Sequence, residues 1–231
     1  MNIFRTAVPS QEETKTRPKG KISLLKSLCG AVIVAVVSSG FPLAPAQASG
    51  TYDGTDGTVL CTTGYFTIAS NVVTGQTECA GAVVIPASVT SIGSAGFASS
   101  SITSVVFSGT STLATIGVSA FQSIQTLTSI TIPASVTSIG PDAFSFSNAL
   151  TSILVDAASA NYSSVGGVLF DKDKSLVVKY PSGISETSYE IPSTVTSIGT
   201  TAFRGSTFSS ITIPASVTTI GESAFGGSQL T

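Results

Sequence analysis

The stretch LTSITIPASVTSIGPDAF runs from Leu127 to Phe144. Part of it is written again elsewhere: IPASVTSIG starts at both Ile85 and Ile132, IPSTVTSIG at Ile191 and IPASVTTIG at Ile213. The common mark is an Ile-Gly pair, found at Ile92-Gly93, Ile116-Gly117, Ile139-Gly140, Ile198-Gly199 and Ile220-Gly221. The steps between copies are 24, 23, 59 and 22 residues. Five residues past each Ile stands a ring: Phe97, Phe121, Phe144, Phe203 and Phe225. A low-complexity Ser/Thr tract would not hold large apolar residues in fixed phase. A period in this range marks a stacked-repeat architecture.

The apolar spacing assigns each part of the unit. Leu127-Thr-Ser-Ile130-Thr-Ile132 is apolar at positions 1, 4 and 6, and the stretches from Ile102, Leu150 and Phe208 follow it. Alternation with β-branched residues predicts a short strand. Proline at position 7, as in Pro133 and Pro214, ends it, because proline cannot donate to a ladder. Val-Thr-Ser-Ile predicts a second short extended piece. The following Gly suits a turn with positive φ, and Ala-Phe predicts a tight helical turn with its ring inward. Such a unit buries too little apolar surface to offset the ordering of its own backbone. It therefore folds only against neighbours, which is the physics of a solenoid.

These residues, in this order, resemble the BspA-type leucine-rich repeat family of bacterial and protist surface proteins. The resemblance covers residues 80–231. It implies a mainly β solenoid: a leucine-rich-repeat stack of about 23-residue units with parallel concave strands and short helical turns. It also implies a secreted or cell-surface role in adhesion or recognition. The family often has Cys three residues after the Phe; here Ser100, Ile124, Ser147, Ser206 and Ser228 stand there. Small polar replacements avoid buried thiols in an oxidising compartment. The 59-residue step holds an elaborated repeat, residues 155–190. Its two apolar runs, around Asp171-Lys-Asp-Lys174, read as a hairpin.

The first 48 residues have a basic stretch from Lys15 to Lys26, an apolar run Ala31–Val37 and the ending Ala46-Gln-Ala48. That order describes a secretory signal peptide, residues 1–48, cleaved after Ala48. The alternative is a membrane anchor, but the run is far shorter than the roughly 20 residues that span a bilayer. No membrane span is expected after cleavage. Cys29 lacks the surroundings of a lipidation box. The leader holds six of the ten basic and two of the twelve acidic residues, leaving four against ten, a net charge of −6, in residues 49–231. Such a balance argues against a nucleic-acid partner. Cys61 and Cys79 remain. Outside the cytosol they read as a disulfide rather than two thiols, bracing an N-terminal cap, residues 49–79, with a strand at Tyr65–Ile68. At the other end, Gln229-Leu230-Thr231 falls where another strand should begin, so the C-terminal end reads as truncated.

Little catalytic chemistry is written in the chain. It has no His, the commonest general base and metal ligand. Asp171-x-Asp173-x-Ser175 resembles the start of a calcium loop but lacks its Gly and its closing Glu. A Ser-Lys nucleophile has no supporting motif. The expectation is a non-enzymatic protein with no cofactor, binding an extracellular protein or glycan. The candidate surface is the outward row at strand positions 3 and 5: Ser104, Val106, Ser129, Thr131, Ser152, Leu154, Ser210 and Thr212. Tyr162 and Tyr180 of the insert offer a second patch. The alternatives are a structural cell-envelope protein without a specific ligand and, as a lesser one, an ice-binding solenoid.

Overall fold

The computed structural model describes residues 52–231; the predicted leader and Cys29 lie outside them. The chain opens with an antiparallel meander, β1 (Gly57–Leu60), β2 (Thr63–Ala69) and β3 (Val72–Ile85). β2 contains the predicted Tyr65–Ile68 strand. Cys61 and Cys79 are joined in a disulfide with Cα atoms 5.4 Å apart. β3 runs unbroken past residue 79, where the cap was expected to end, so cap and first repeat share one strand.

From there the chain winds in rungs. β4 (Ser91–Ile92), β5 (Ser101–Phe107), β6 (Thr115–Ile116), β7 (Ser129–Ile132), β8 (Ser138–Ile139) and β9 (Ser152–Val155) come first. The insert contributes β10 (Tyr162–Val165), β11 (Val168–Asp171) and β12 (Leu176–Lys179). β13 (Ser188–Glu190), β14 (Ser197–Ile198), β15 (Ser210–Thr212) and β16 (Thr219–Ile220) follow. Each rung gives a longer strand and a two-residue strand. The longer ones pair in parallel: β3 with β5, β7 with β9, β13 with β15. The short ones align Val73, Ile92, Ile116 and Ile139 in one ladder, and Val177, Ile198 and Ile220 in another.

The repeated residues explain the repeated geometry. After the longer strand, Pro86, Pro133, Pro192 and Pro214 each accept, at the carbonyl, the N–H of Val89, Val136, Val195 and Val217, at 3.0–3.1 Å. The abundant hydroxyls tie rung to rung. Thr137, Thr196 and Thr218 donate from Oγ1 to carbonyls of Ala114, Ser175 and Thr196 in the rung before. Ser135 and Ser216 donate likewise to Leu113 and Val195. What looks like a polar tract is a set of side-chain rungs.

Two expectations are corrected. No helix occurs among the described residues. The Ala-Phe segment is a pair of tight turns, because two residues per rung, four apart, take positive φ: Ala95 and Ser99, Ser119 and Ser123, Asp142 and Phe146, Thr201 and Gly205, Ser223 and Gly227. Alternate N–H groups point out of the turn toward the next rung. Ala95, Phe97 and Ser99 donate to Val118, Ala120 and Gln122, while Gly96 and Ala98 close bonds within the turn. A helix would take all of these donors for itself. The second correction concerns the Ile-Gly glycines, which have no positive φ. They are needed because backbone lies against backbone: a Cβ on Gly117 would sit 2.8 Å from the Gly93 carbonyl carbon, and one on Gly140 2.7 Å from the Val118 nitrogen.

Phe66, Phe97, Phe121 and Phe144 form a column with ring centroids 5.2, 5.6 and 5.6 Å apart, the last two contacts stacked. Ile92, Ile116, Ile198 and Phe203 are buried as expected and Ile139 half-buried. Phe225 is half-buried and stacks on Phe203 at 5.2 Å. Ile220, expected inside, is 53% exposed; β16 pairs only with β14 and has one covered side.

The insert contains the hairpin expected around Asp171–Lys174, β11 with β12. The Asp171 carboxylate accepts the N–H groups of Ser175 and Leu176 and the Ser175 hydroxyl, at 2.7–2.9 Å. It is a turn cap. A second hairpin, β10 with β11, precedes it. The core divides here: one apolar cluster ends at Leu169, and a second begins with Val168 and Phe170 and holds Tyr180 and Phe203.

Candidate functional site

The longer strands present one row of side chains inward and one outward. Ile130 and Ile132 are buried; Ser129 and Thr131 between them are exposed. The same alternation exposes Ser210 and Thr212 and leaves Ser104 and Ser152 half-buried. Val106 is 53% and Leu154 47% exposed. Parallel register sets Val84 beside Val106, Thr131 beside Leu154, and Glu190 beside Thr212. The eight expected residues therefore lie on strand faces, with Val84 and Glu190 added. Neither was anticipated, although both occupy the fifth strand position and could have been found by extending the row. Val165, at the β10–β11 turn, is a further exposed apolar residue. The Gly167 carbonyl beside it accepts the Ile153 N–H.

Tyr180 drops out of the expected tyrosine patch. Tyr180 is 1% exposed. It packs against Tyr189, Phe203 and Phe208 at 4.8, 5.6 and 5.2 Å, standing where other rungs place their Phe. Its hydroxyl is buried without a hydrogen-bond partner, and burial pushes its pKa up to about 12. Tyr162 is half-buried, its hydroxyl donating to the Thr137 carbonyl at 3.4 Å, and burial raises its pKa. Ser100 and Ser206, three residues past Phe97 and Phe203, are buried with unpaired hydroxyls, whereas Ser147 donates to Phe121 O and accepts from Ile124 N.

Two concavities interrupt the stack. One, about 430 Å³, opens on the strand face between β5 and β7 and includes Val106, Thr131 and Asp156 in its lining. The other, about 270 Å³, lies between the turn after β8, strand β12 and the turn after β14. Here Arg204 Nη1 pairs with Asp142 Oδ2 at 3.0 Å, and its guanidinium lies 5.3 Å from the Phe146 ring. Lys179, 4% exposed, donates from Nζ to Arg204 O, Thr201 O and Ser145 Oγ at 2.9, 3.1 and 3.2 Å. Burial pushes its pKa down to about 7, against the opposing pull of the Asp142 carboxylate. Three acceptors match the three N–H groups of its ammonium form, and these bonds tie β12 to the turns on either side. No group of three or more His, Cys, Asp or Glu that could hold a metal occurs among the described residues.

A parallel-β solenoid of roughly 23-residue rungs, most of them marked by Pro, Ile-Gly and Ala-Phe, defines the class of leucine-rich-repeat stacks. The chain belongs to the BspA-type leucine-rich-repeat family: the profile described as "BspA type Leucine rich repeat region" matches six copies, over residues 67–189 and 179–231. Among solved structures it is similar to a leucine-rich repeat protein from Eubacterium ventriosum, at 22% identity and a TM-score of 0.57, over 78% of this chain and 63% of that one. The pneumococcal vaccine antigen PcpA matches at 22% identity and a TM-score of 0.40, over 71% of this chain and 55% of that one. A leucine rich cell surface protein from Faecalibacterium prausnitzii matches at 21% and 0.39, over 79% and 75%. The chain thus spans less than two thirds of the first two proteins. No curated protein sequence matches it.

Proposed function

We propose that this protein is a secreted or cell-surface recognition and adhesion module that binds an extracellular protein or glycan through its strand faces, without a catalytic step. The observation that carries the reading is the outward row. Strands held by ladder pairing keep Val84 and Val106 side by side in water, with Leu154 exposed on β9, and exposed apolar side chains gathered on a strand face mark interaction sites. The Cys61–Cys79 disulfide fits an oxidising location. Membership of a family of surface proteins supports the same reading. Export is tested by N-terminal sequencing of the secreted product, which should begin at Ser49. Binding is tested by retention on immobilised matrix proteins and host cells. Thr131→Arg and Leu154→Arg should abolish retention without lowering thermal stability; retention that survives both, or is absent from the unaltered protein, removes the proposal.

A structural envelope role is favoured by one feature, the column of small hydroxyls Ser104, Ser129, Ser152, Ser188 and Ser210 on the same strand faces. It predicts envelope association that face substitutions leave unchanged. Ice binding fits less well, because Val106, Leu154 and Glu190 break the row that regular threonines would make. A thermal hysteresis assay separates it.

A further inference from the structure

The outward row is broken at one place. β5 ladders with β3, and β7 with β9, but β5 and β7 belong to different sheets. Chain length explains the break. Ile85 to Phe107 takes 22 residues and Ile132 to Val155 takes 23, whereas Phe107 to Ile132 takes 25. The surplus sits in the loop from Ser108 to Thr112, where Gly109 has φ +57°. The cleft of about 430 Å³ opens beside this loop. Its size is that of a small ligand site, roughly 300–1,000 Å³.

The lining has a definite chemistry. Val105, Val106, Phe107 and Pro133 make it apolar, and Asp156 supplies its one formal charge. Asp156 Oδ1 accepts the Ala158 N–H at 2.9 Å, which orients the carboxylate. No basic residue lines the cleft. Of the four basic residues in 49–231, Lys172 and Lys174 lie in the β11–β12 turn, Lys179 is buried, and Arg204 is paired with Asp142. Phe107 is the one ring in the lining, and it is half-buried, so no open aromatic face is offered to a sugar.

We infer that this cleft takes an extended segment of a partner protein, with an aliphatic side chain against Val106 and Pro133 and an adjacent lysine or arginine at Asp156. The inference rests on the recognition reading given above and names its partner chemistry. Apolar contact supplies the attraction, and the exposed carboxylate selects the sign of the neighbouring charge.

The test uses the purified, oxidised protein, ¹⁵N-labelled, and three acetylated, amidated hexapeptides, otherwise Gly and Ser, with Leu-Lys, Leu-Glu or Ser-Lys at the centre. The Leu-Lys peptide should shift the amides of Val106, Thr131 and Asp156 saturably and bind about fivefold more tightly than Leu-Glu. Ser-Lys should show no saturation. Asp156→Asn, which keeps the Oδ1 acceptor, should bring Leu-Lys and Leu-Glu within about twofold of each other. Val106→Asp, at a side chain already in water, should abolish Leu-Lys binding while leaving the melting profile intact. Equal shifts from all three peptides, undiminished discrimination in Asp156→Asn, or saturable shifts from maltohexaose alone would overturn the inference. The two readings fail separately. If Leu154→Arg loses retention on matrix proteins while Val106→Asp and Asp156→Asn keep it, the cleft assignment falls and surface recognition stands.

Discussion

The rungs from Ile92 to Phe144 and the rung that contains Lys179 solve the same problem with different atoms. In the regular rungs the turn from Ile to Phe is five residues long and sends backbone N–H groups to the next rung. Ser99 donates to Gln122 O, Ser123 to Ser145 O and Gly205 to Gly226 O. In the insert the turn from Val177 to Tyr180 is three residues long. Tyr180 N still reaches Ala202 O, the partner expected for the ring position. Arg204 O, the next acceptor in the series, receives the ammonium of Lys179 instead. On the other side Asp142, lacking a carbonyl opposite, donates its N–H to Thr201 Oγ1 at 3.0 Å, and its carboxylate holds Arg204. Where the backbone is two residues short, charged side chains close the gap, and the cavity of about 270 Å³ marks what they do not fill. A solenoid tolerates an irregular rung when each exposed carbonyl of the next rung still finds a donor.

The largest expected effect tests the regular side. Phe121 has stacked rings 5.6 Å away on both faces, so Phe121→Ala should cost about 3–5 kcal/mol of unfolding free energy. Phe225→Ala removes a half-buried ring with a single stacked neighbour and should cost well under half as much. Urea denaturation measures both. Equal losses would mean that the column does not act through ring-on-ring burial.

The regular rungs were legible because large apolar residues recur in phase, and burial is what phase encodes. The insert was legible as an elaborated repeat with a hairpin, but not in how its strands join the ladders. Val177-Val-Lys-Tyr180 lacks the Ile-Gly and Ala-Phe marks, so nothing announced that β12 is the strand in ladder with β14 or that Tyr180 takes the ring position. Its burial followed from that position and removed it from the candidate surface. Glycine in Ile-Gly was read for its conformation when the need is closeness, and a single sequence does not separate the two uses. The helical turn was expected from Ala-Phe spacing, but the next rung takes the alternate N–H groups, a tertiary competition that local propensity does not contain. The strand row was legible residue by residue. The cleft within it was written only in a count, 25 residues where neighbours use 22 and 23.

The irregular rung gives the next effects. Arg204→Ala removes the ion pair to Asp142 and the contact with Phe146; with both charges partly exposed, a loss of about 1–2 kcal/mol is expected. A double-mutant cycle with Asp142→Asn should show coupling, and hydrogen exchange should quicken at residues 142–146 and 200–205 but not at 119–123. Lys179 predicts a pH dependence. Its folded pKa is about 7, below the ordinary 10.5. Between those values the unfolded chain binds more protons, so stability should rise as pH rises from 7 toward 9.5 and be lost again as pH falls. Lys179→Met should flatten that slope. Above pH 10 Tyr180 and Tyr189, both pushed up to about 12 by burial, act in the opposite direction, which sets the upper end of the useful window. A slope retained in Lys179→Met would assign it to other groups.

The smallest expected effect has the opposite sign. Tyr180 belongs to the irregular rung and packs on Phe203 in the second core cluster, and its hydroxyl is buried with nothing to bond. A buried hydroxyl without a partner costs free energy that a methine would not. Tyr180→Phe keeps the contacts with Tyr189, Phe203 and Phe208 and restores the residue that the regular rungs use. It should leave stability unchanged or raise it by about 1 kcal/mol, read as a shift in urea midpoint at constant slope. A loss above about 1 kcal/mol would show that the hydroxyl has a partner in solution, such as an ordered water in the neighbouring rung. The irregular rung would then be held by one more polar contact than the geometry displays.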